Sequence, residues 1–369
     1  MDSLFVFCGA NDYNNDEGYK LEIFGMTEDC LREAVSKLGL SAFRRRQIVR
    51  WLYKADVWDF AAMTDIAAKD AALLREKFTV LPARANILGR KLSKDGLAAK
   101  LLVGLPDGQA IEAVGLRHDY GYSVCVSSQA GCAMGCAFCA SAAHGLIRNL
   151  TAAEMLAQAA LLKKHFIGGA NISNVVVMGS GEPLLNYEQL IMFLRLLHDP
   201  AVYNIGFRNM TVSTCGIIPG INRLAAEKIP VTLAVSLHAP EDGLRGELMP
   251  VNRKYKIAGV VEAAARYAEI TGRRVTYEYL LIKDVNDGAR TAEKLAKLLQ
   301  STLCAVNIIP VNPIKGKSWQ KPGKKRTEKF VAALLANGVT ATVRKEMGSD
   351  IQAACGQLRA RYISSQARL

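Results

Sequence analysis

The sequence predicts an α/β fold: a partial (β/α)6 barrel, preceded by a small helical domain and a β-hairpin connector. Three observations support this. After Ser123, apolar β-rich runs alternate with longer helical patterns, and such alternation is typical of βαβ units around a parallel sheet. Helical patterns also occupy residues 27–78, and two β-like runs flank the turn Pro106-Asp107-Gly108. We therefore divide the chain into residues 1–82, 83–118 and 119–369.

The first predicted domain is helical. A helix is expected over Thr27–Leu38, because Thr27 is a good N-cap and two acidic residues follow it in the first turn. A second helix is expected over Ser41–Tyr53, and the helical pattern continues over Asp59–Phe78. The connector, Ala83–Leu116, should pair its two strands across the tight turn.

The barrel follows the connector. Its six strands are expected at Ser123–Ser128, Asn174–Met178, Asn209–Thr214, Val231–His238, Arg274–Ile282 and Val306–Val311. The helices between them are expected at Thr151–His165, Tyr187–Leu197, Ile217–Lys228, Ile257–Thr271 and Arg290–Gln300. In such barrels the chemistry gathers at the carboxyl ends of the strands. Side chains that follow the strands are therefore the first candidates for a site.

Composition is that of a folded protein. Half of the 369 residues are hydrophobic and 22% are charged, which allows a sizeable core and excludes global disorder. The first residues lack the basic start and long apolar run of a secretory signal, and no stretch is apolar for long enough to span a membrane. The nine cysteines are sparse and odd in number, unlike the framework of a secreted domain. We expect a soluble, cytoplasmic protein.

The net charge of +13 is concentrated in two runs that also contain aromatic residues. Phe43–Trp51 holds four arginines, and Lys315–Lys329 holds seven lysines or arginines. Basic stretches with interleaved aromatic rings suit a phosphate backbone and stacked bases. For any single run, the alternative is a solvated basic face without a partner. The two runs together favour a nucleic acid partner but do not separate RNA from DNA.

The strongest signal is a group of three cysteines, Cys132, Cys136 and Cys139, in a C-x-x-x-C-x-x-C spacing with Phe138 before the last. Thiolates hold iron–sulfur clusters, and three of them can hold three irons of a cubane. The fourth iron then stays open to bind S-adenosylmethionine (SAM), and the spacing is similar to that of the radical SAM superfamily. One alternative is a structural zinc site, which needs four ligands, whereas the nearest fourth candidate, His144, is not part of a second pair. Another is chance clustering of buried thiols.

Polar side chains follow several of the predicted strands. The segment Gly179-Ser180-Gly181-Glu182-Pro183 comes after the second strand. Its glycines allow close approach to a ligand, and its carboxylate suits the ammonium group of SAM. Ser213, the run Ser236-Leu237-His238 and Asn312 end or follow later strands. Each alone is explained as a satisfied structural group or a simple turn, but together they indicate a ligand site at the barrel mouth.

Two further cysteines complete a pattern that extends over residues 21–358. Cys125 lies before the three-cysteine loop, and Cys355 lies in the segment Ala353-Ala354-Cys355-Gly356-Gln357. Together with the motifs above, Arg148-Asn149-Leu150 and Val285-Asn286-Asp287-Gly288, they make the chain resemble the RlmN/Cfr family of radical SAM RNA methyltransferases. The two separate cysteines are the most specific part of the resemblance, because the whole superfamily shares the three-cysteine motif.

The resemblance implies methylation of an aromatic carbon of adenosine, with two molecules of SAM per turnover. It implies that Cys132, Cys136 and Cys139 hold a [4Fe-4S] cluster. It assigns SAM binding to Gly181, Glu182, Ser213, Ser236, Leu237, His238 and Asn312. It also implies that Cys355 carries the methyl group, that Cys125 releases the product through a transient disulfide, and that Glu112 accepts a proton.

The resemblance further implies 23S rRNA as substrate, tRNA as a second substrate, a flavodoxin or ferredoxin as electron donor, and a monomer. The chain departs from the family pattern at Ser180, where methionine is usual, at Cys215, where serine is usual, and over residues 139–145. We favour carbon 2 of adenine over carbon 8, the activity that the resemblance links to ribosome-targeting antibiotic resistance. Outside enzymes, the alternative is a non-catalytic iron–sulfur sensor that binds RNA.

Overall fold

The computed structural model describes residues 12–15, 18–312, 317–345, 347, 348, 350 and 351. These residues form the strands β1 Asp12–Asn15, β2 Gly18–Glu22, β3 Phe78–Thr79, β4 Asn86–Leu92, β5 Ala98–Gly104, β6 Ala110–His118, β7 Gly121–Cys125, β8 Gln129–Gly131, β9 Leu146–Asn149, β10 Ile172–Val177, β11 Met210–Thr214, β12 Thr232–Ser236, β13 Val275–Leu281, β14 Cys304–Pro310 and β15 Ala341–Val343. The α-helices are Glu28–Lys37, Ala42–Val49, Ala68–Lys77, Leu81–Arg84, Ala152–Leu162, Tyr187–His198, Ile218–Ala226, Asp242–Leu248, Ile257–Thr271, Ala289–Leu299 and Lys324–Ala336.

Ten strands form one sheet in the order β15-β14-β13-β12-β11-β10-β7-β6-β5-β4. Neighbouring strands are parallel from β15 to β7 and antiparallel from β7 to β4. The six strands predicted for the barrel correspond to β7 and β10–β14. Among the described residues no pairing joins β15 to β4, so the predicted partial barrel is confirmed.

The connector differs in detail from the predicted hairpin. It contains three strands rather than two, because β4 precedes the pair formed by β5 and β6. It also continues the barrel sheet, since β6 pairs with β7. The extra strand was missed because it is the exposed edge of the sheet and its register shifts between Ile87 and Gly89. The connector therefore widens the barrel sheet by three strands.

One face of the sheet is apolar and covered by helices. Side chains alternate along each strand, and this face carries the buried residues Val124, Val175, Val177, Val212, Leu233, Val235, Tyr277 and Tyr279. Gly115 lies on the same face, where an added Cβ would be 2.5 Å from the ring of Phe166. Phe166 follows the helix Ala152–Leu162, so the helices pack on this side of the sheet.

The opposite face, which we call the inner face, is more polar. Register aligns Lys100, Val114, Cys125 and Val176 across β5, β6, β7 and β10. Glu112 shares this face because it precedes Val114 by two residues. The face continues through Thr211, Ser213, Thr232, Ser236, Glu278 and Asn307. Cys125 and most of these later residues are only half-buried. The inner face is therefore the accessible side of the partial barrel, which we call the half-barrel.

The basic run Phe43–Trp51 is largely neutralised inside the N-terminal domain. Three of its four arginines form ion pairs: Arg44 with Asp70, Arg45 with Glu28, and Arg50 with Asp65. The fourth, Arg46, lies over the exposed ring of Phe43 at 5.7 Å. Among the four arginines of the run, only Arg46, beside Phe43, could bind RNA without breaking an ion pair to a described residue.

A buried ion pair joins the N-terminal domain to the barrel. Lys163, at the end of the helix Ala152–Leu162, lies 2.8 Å from the carboxylate of Asp56 and also donates to the Tyr53 carbonyl at 3.2 Å. Both charged side chains are almost fully buried. Such a pair holds the two parts together, because breaking it would leave an uncompensated buried charge.

None of the helices in the described ranges has the length and apolar character needed to cross a membrane.

A buried carboxyl group makes the stability of the N-terminal domain depend on pH. Glu22 accepts hydrogen bonds from the backbone N–H groups of Phe24 and Leu81, both at 2.8 Å. Burial raises the pKa of Glu22 from 4.5 to about 8, although these hydrogen bonds oppose the shift. Because the pKa is higher in the folded state, the stabilising contribution of Glu22 is complete below its ordinary pKa and is lost as the pH rises towards 8.

Glu22→Gln is expected to remove this part of the pH dependence, because an amide does not ionise. Urea-unfolding midpoints of the unsubstituted protein should fall relative to those of the variant between about pH 5 and pH 8. Glu269→Gln, on an exposed helix face, is the control and should follow the unsubstituted protein throughout. A constant offset between Glu22→Gln and the unsubstituted protein would contradict the expectation.

Candidate active site

The predicted site residues gather at one end of the sheet. The strands β7 and β10–β14 are parallel, so their carboxyl ends share one edge of the half-barrel. Most of the predicted residues occupy this edge: Cys125 in β7, Gly181 and Glu182 after β10, Ser213 in β11, Ser236, Leu237 and His238 at the end of β12, and Asn312 after β14. The fold thus brings together residues that lie almost 190 positions apart.

The three-cysteine loop is anchored by its backbone. The N–H of Cys132 donates to the carbonyl of Gly145, and the N–H of Ala137 donates to the carbonyl of Leu248, both at 2.9 Å. Gly131 precedes the loop with a φ of +89°, and a Cβ there would lie 2.0 Å from the Gly145 oxygen. Only glycine fits this position, because the backbone conformation and the contact both exclude a side chain.

The three thiols are close enough to influence one another. Burial raises the pKa of Cys132 to about 11, and negative charge at Cys139 raises it further. Burial also raises the pKa of Cys136, with added contributions from charge at Cys139 and Cys132. A hydrogen bond from the backbone N–H of Gly181 to Cys132 acts in the opposite direction. The loop after β10 is therefore in direct contact with the cysteine loop.

The donor set fits an iron–sulfur cubane. Within the described part of the chain, no group of three or more His, Cys, Asp or Glu side chains is arranged to hold a single metal ion. A cubane has a different requirement, because its cysteines bind separate irons of one cluster. Three thiols in one anchored loop, with Cys139 close enough to raise the pKa of both Cys132 and Cys136, match that requirement.

Glu182 is buried, and its carboxylate connects two loops. Its Oε1 accepts from the N–H of Leu184 at 3.1 Å, and its Oε2 accepts from the N–H of Cys215 at 2.7 Å. Its own N–H donates to Gln129 at 2.8 Å. Burial raises the pKa of Glu182, against these hydrogen bonds. A ligand ammonium group at this position would share the carboxylate with two backbone N–H groups.

The glycines of the same motif contact protein atoms at close range. A Cβ at Gly179 would lie 2.6 Å from Ser127 Oγ, and one at Gly181 would lie 2.6 Å from Gln129 Cβ. Gly181 also has a φ of +110°. The sequence prediction attributed these glycines to ligand approach. The structure adds a second requirement, because the loop after β10 packs directly on the segment after β7.

His238 is held as a neutral ring. It has a φ of +60°, its Nδ1 accepts from the N–H of Leu280 at 3.0 Å, and its carbonyl accepts from Asn286 at 3.0 Å. Burial lowers the pKa of His238 to about 3, helped by the positive charge of Arg245. The remaining proton is therefore on Nε2. Phe138, of the cysteine loop, meets the ring edge to face with centroids 4.6 Å apart.

Arg245, in the helix Asp242–Leu248, was missed by the sequence prediction. Its fully buried guanidinium donates to five oxygens: Leu237 O at 3.2 Å, Asn252 Oδ1 at 2.8 Å, Tyr255 O at 3.3 Å, Cys215 O at 2.7 Å and Ser236 O at 3.1 Å. These partners are all neutral. Arg245 thus ties the ends of β11 and β12 to the turn after Pro250, against which Gly135 of the cysteine loop packs.

Arg245→Met is expected to destabilise the folded protein by roughly 3–5 kcal/mol, because buried carbonyls would lose their donors. Arg245→Lys should recover only part of this loss, since an ammonium group has three donors and no planar fork. Urea unfolding measures both effects. Arg266→Met, on an exposed arginine paired with Glu262, is the control and should cost less than about 0.5 kcal/mol. An equal cost for Arg245→Met and the control would contradict the assignment.

Glu112 and Cys125 lie on the inner face of the neighbouring strands β6 and β7. The carboxylate of Glu112 lies 2.9 Å from the ammonium of Lys100, and both side chains are buried. Cys125 lies opposite Val114 in the pairing of β7 with β6. The Glu112 carbonyl also accepts from Ser127 Oγ at 2.7 Å, which joins β6 to the segment after β7. The structure therefore places the predicted proton acceptor and the predicted resolving cysteine on the same face of neighbouring strands, two residues out of register, and adds Lys100.

Two predicted residues remain. Asn312 is exposed directly after β14, at the same end as the rest of the site. Cys355 lies outside the described residues. The last described residue, Ile351, is buried four positions earlier, and Asp350 accepts from the N–H of Lys94 at 2.9 Å. Asp350 is thus fixed at the turn between β4 and β5.

The departures from the family pattern are accommodated by local contacts. The Ser180 hydroxyl forms a hydrogen bond with the Ser141 hydroxyl at 2.9 Å, which links the loop after β10 to the segment after the cysteine loop. Cys215 is buried beside Glu182, and burial together with the charge of Glu182 raises the pKa of Cys215 well above its usual range. Cys215 is therefore a protonated thiol at neutral pH.

Comparison with known proteins agrees with this geometry. A family described as the radical SAM superfamily matches residues 126–299, and one described as the ribosomal RNA large subunit methyltransferase N-terminal domain matches residues 21–80. A crystal structure of a radical SAM methyltransferase from Sphaerobacter thermophilus has a TM-score of 0.88 and 44% identity, covering 92% of this chain and 99% of that chain. The fold and the site define a radical SAM enzyme.

Curated relatives define the family within this class. A probable dual-specificity RNA methyltransferase RlmN from Desulforamulus reducens is 44% identical over 345 residues, which are 94% of this chain and 97% of the relative. The protein of the same description from Symbiobacterium thermophilum is 47% identical and covers 91% of each chain. The chain therefore belongs to the RlmN family. It is an RNA methyltransferase that uses SAM and a [4Fe-4S] cluster, and the predicted family and enzyme class are confirmed.

Proposed function

We propose that this protein methylates carbon 2 of an adenosine in 23S rRNA, with tRNA as a second substrate, in the cytoplasm. The proposal is carried by the position of Cys125 and Glu112, which share the inner face at the end of the sheet that carries the cysteine loop. Carbon 2 of adenine is not nucleophilic, so direct displacement on SAM fails. The enzyme therefore needs one group that carries the methyl and another that releases the product.

The cofactors would be held at the carboxyl ends of the strands. Cys132, Cys136 and Cys139 would hold the cluster, and SAM would be bound by Gly181, Glu182, Ser213, Ser236, Leu237, His238 and Asn312. When bound, these cofactors supply one-electron chemistry that activates an otherwise inert methyl group. Two molecules of SAM would be used per turnover, one of them as the methyl donor. The hydrogen bond between the hydroxyls of Ser180 and Ser141 supports a SAM site directly beside the cluster, because it joins the loop after β10 to the segment after the cysteine loop.

Two cysteines and one carboxylate would complete the reaction. Cys355 would take the methyl group on its thiolate by displacement. Once the new carbon–carbon bond has formed, the adduct would give its unpaired electron back to the cluster, and Glu112 would accept the proton from the ring carbon. Cys125 would then attack the sulfur of Cys355 and break the sulfur–carbon bond, and the released carbon would take a proton to become the methyl group. The methylated RNA is thereby freed, and the two cysteines are left as a disulfide that cellular thiols reduce.

The rest of the chain would select the RNA. Residues 1–82 would bind RNA around the target, and residues 119–369 would carry out the chemistry. Residues 83–118 would connect these two parts. The target adenosine must leave its stack to reach the inner face, so the surrounding RNA would be recognised largely by shape. A flavodoxin or ferredoxin would donate the electron, and the enzyme would act as a monomer.

Anaerobic reconstitution with iron and sulfide tests the proposal. The loaded protein, incubated with SAM, dithionite and either a 23S rRNA fragment or tRNA, should yield 2-methyladenosine in nucleoside digests analysed by mass spectrometry. Cys136→Ala should lose the cluster absorbance and all methylation, because a site with three protein ligands has none to spare. Formation of 8-methyladenosine instead would replace carbon 2 by carbon 8. SAM cleavage without any methylated nucleoside would overturn the proposed reaction.

A further inference from the structure

A basic groove lies on the same end of the fold as the active site. It has a volume of about 410 Å³ and is lined by Asp287, Gly288, Ala289, Lys325, Arg326, Lys329 and Phe330. It lies between the starts of the helices Ala289–Leu299 and Lys324–Ala336, which follow β13 and β14. In a parallel sheet, the helix that follows a strand begins near the carboxyl end of that strand. We call this cavity the rim groove.

The positive charges of two lysines in the rim groove are not neutralised by an ion pair with any described residue. Arg326 lies 2.7 Å from the carboxylates of both Asp284 and Asp287, so its charge is compensated. Lys325 and Lys329 are exposed and form no ion pair with any described residue. They are one helical turn apart, so both project from one side of their helix. The acidic lining residue, Asp287, is buried and already paired.

An aromatic ring and a further lysine precede the same helix in the chain. The ammonium of Lys317 lies over the ring of Trp319 at 5.1 Å, and Trp319 is half-buried. This stretch is fixed to the loop after β13, because the N–H of Lys283 donates to the carbonyl of Gln320 at 2.9 Å. Cations next to aromatic rings are the usual surface for a nucleic acid backbone and its unstacked bases.

The second basic run is therefore physically unlike the first. In the N-terminal run, Arg44, Arg45 and Arg50 are committed to ion pairs, whereas Lys325 and Lys329 are not. Uncompensated lysines suit phosphate, since they gain more from a new anion than paired arginines do. An acidic redox protein would also be attracted to such a charge. The adjacent Lys317–Trp319 pair favours RNA, because stacking on an aromatic ring is a contact made by bases.

We propose that Lys325 and Lys329 bind phosphates of the substrate RNA next to the target adenosine, with Trp319 and Lys317 beside them. The proposal rests on the proposed function, because it takes the RNA substrate and the location of the active site from it. The rim groove would grip the RNA backbone at the mouth of the half-barrel. The N-terminal domain would supply the more distant contacts.

The test uses the full-length, cluster-loaded protein carrying Lys325→Gln and Lys329→Gln together. The slope of log affinity for an rRNA fragment against log salt should become shallower by about 1.4–1.8, since each phosphate contact contributes roughly 0.7–0.9. The KM for RNA should rise several-fold while kcat is kept, because these contacts act on binding. SAM cleavage in the absence of RNA should be unchanged. Lys228→Gln with Lys297→Gln, two exposed lysines near the carboxyl ends of the helices Ile218–Ala226 and Ala289–Leu299, lies outside residues 1–82 and away from the active-site end. It gives the same change in net charge and should leave slope and KM unaltered.

Three results would overturn the inference. One is a salt slope equal to that of the unsubstituted protein, and another is the same change of slope in the control pair. The third is a variant that loses activity with a flavodoxin as donor but keeps full RNA affinity and full activity with dithionite, which would assign the rim groove to a redox partner. Failure of the proposed function would look different, because the unsubstituted protein itself would then form no methylated adenosine.

Discussion

Cys125→Ala is expected to trap a covalent complex between the protein and its RNA, whereas Cys355→Ala should form neither complex nor product. In the proposed reaction Cys355 acts before the carbon–carbon bond forms, and Cys125 acts after it. Without the Cys125 thiol, the adenosine stays linked to the Cys355 sulfur. Denaturing gels with labelled RNA, SAM and dithionite should show the shifted band only for Cys125→Ala, with product formation lowered at least about 10³-fold in both variants.

Cys304→Ala is a suitable control for this experiment. Cys304 begins β14, at the opposite end of the sheet from the site, and is half-buried like Cys125. This variant should turn over normally and give no shifted band. If Cys125→Ala loses both the band and the product while it still cleaves SAM, then Cys125 acts earlier than proposed. Full turnover in either Cys125→Ala or Cys355→Ala would rule out the two-cysteine reaction.

Lys100→Met is expected to destabilise the folded protein about as strongly as Arg245→Met. It removes the ammonium group that lies 2.9 Å from the buried carboxylate of Glu112. Removing one partner of a buried ion pair typically costs about 3–5 kcal/mol, because the other charge stays in the interior. The free energy of unfolding, measured with urea, should fall by that amount. Methylation should fall as well, because Glu112 would lose the ammonium group that positions its carboxylate on the face it shares with Cys125.

A double-mutant cycle separates the ion pair from simple loss of packing. Lys100→Met combined with Glu112→Leu should be more stable than Lys100→Met alone, because no unpaired charge remains. Lys294→Met, which breaks an exposed pair with Glu241, should cost less than about 1 kcal/mol. If the double variant is less stable than Lys100→Met, the cost of Lys100→Met does not come from the loss of the ion pair with Glu112.

The regular part of the fold could be predicted because local signals agree there with tertiary structure. The helix Ile257–Thr271 has the predicted bounds, since its apolar period is regular and Gly272 ends it with a φ of +65°. The strands β10–β14 could be predicted because other strands flank them on both sides and helices cover one of their faces. This burial requires apolar residues at alternate positions. The strand β4 was missed because, as the edge of the sheet, it has no continuous apolar signal.

The chemistry-bearing motifs were predicted from spacing, whereas their supports were not. The partners of Arg245 come from positions 9 residues before it to 10 after it, and also from Cys215, 30 residues before it. No local pattern in a sequence reports such a set. The same holds for the basic run at Phe43–Trp51, whose counterions Glu28, Asp65 and Asp70 belong to other segments. Charge could be counted from the sequence, but its compensation depends on the fold.

Because the two faces of the sheet differ, adjacent residues of one strand meet different requirements. One residue must pack in the apolar core, and the next lies on the accessible inner face. In β7, Val124 belongs to the apolar core and Cys125 to the accessible inner face. In β12, Val235 and Ser236 divide in the same way. Mutations in an evolving lineage can therefore alter every second residue of these strands, and so change which base or ring carbon is accepted, without drawing on the stability of the core.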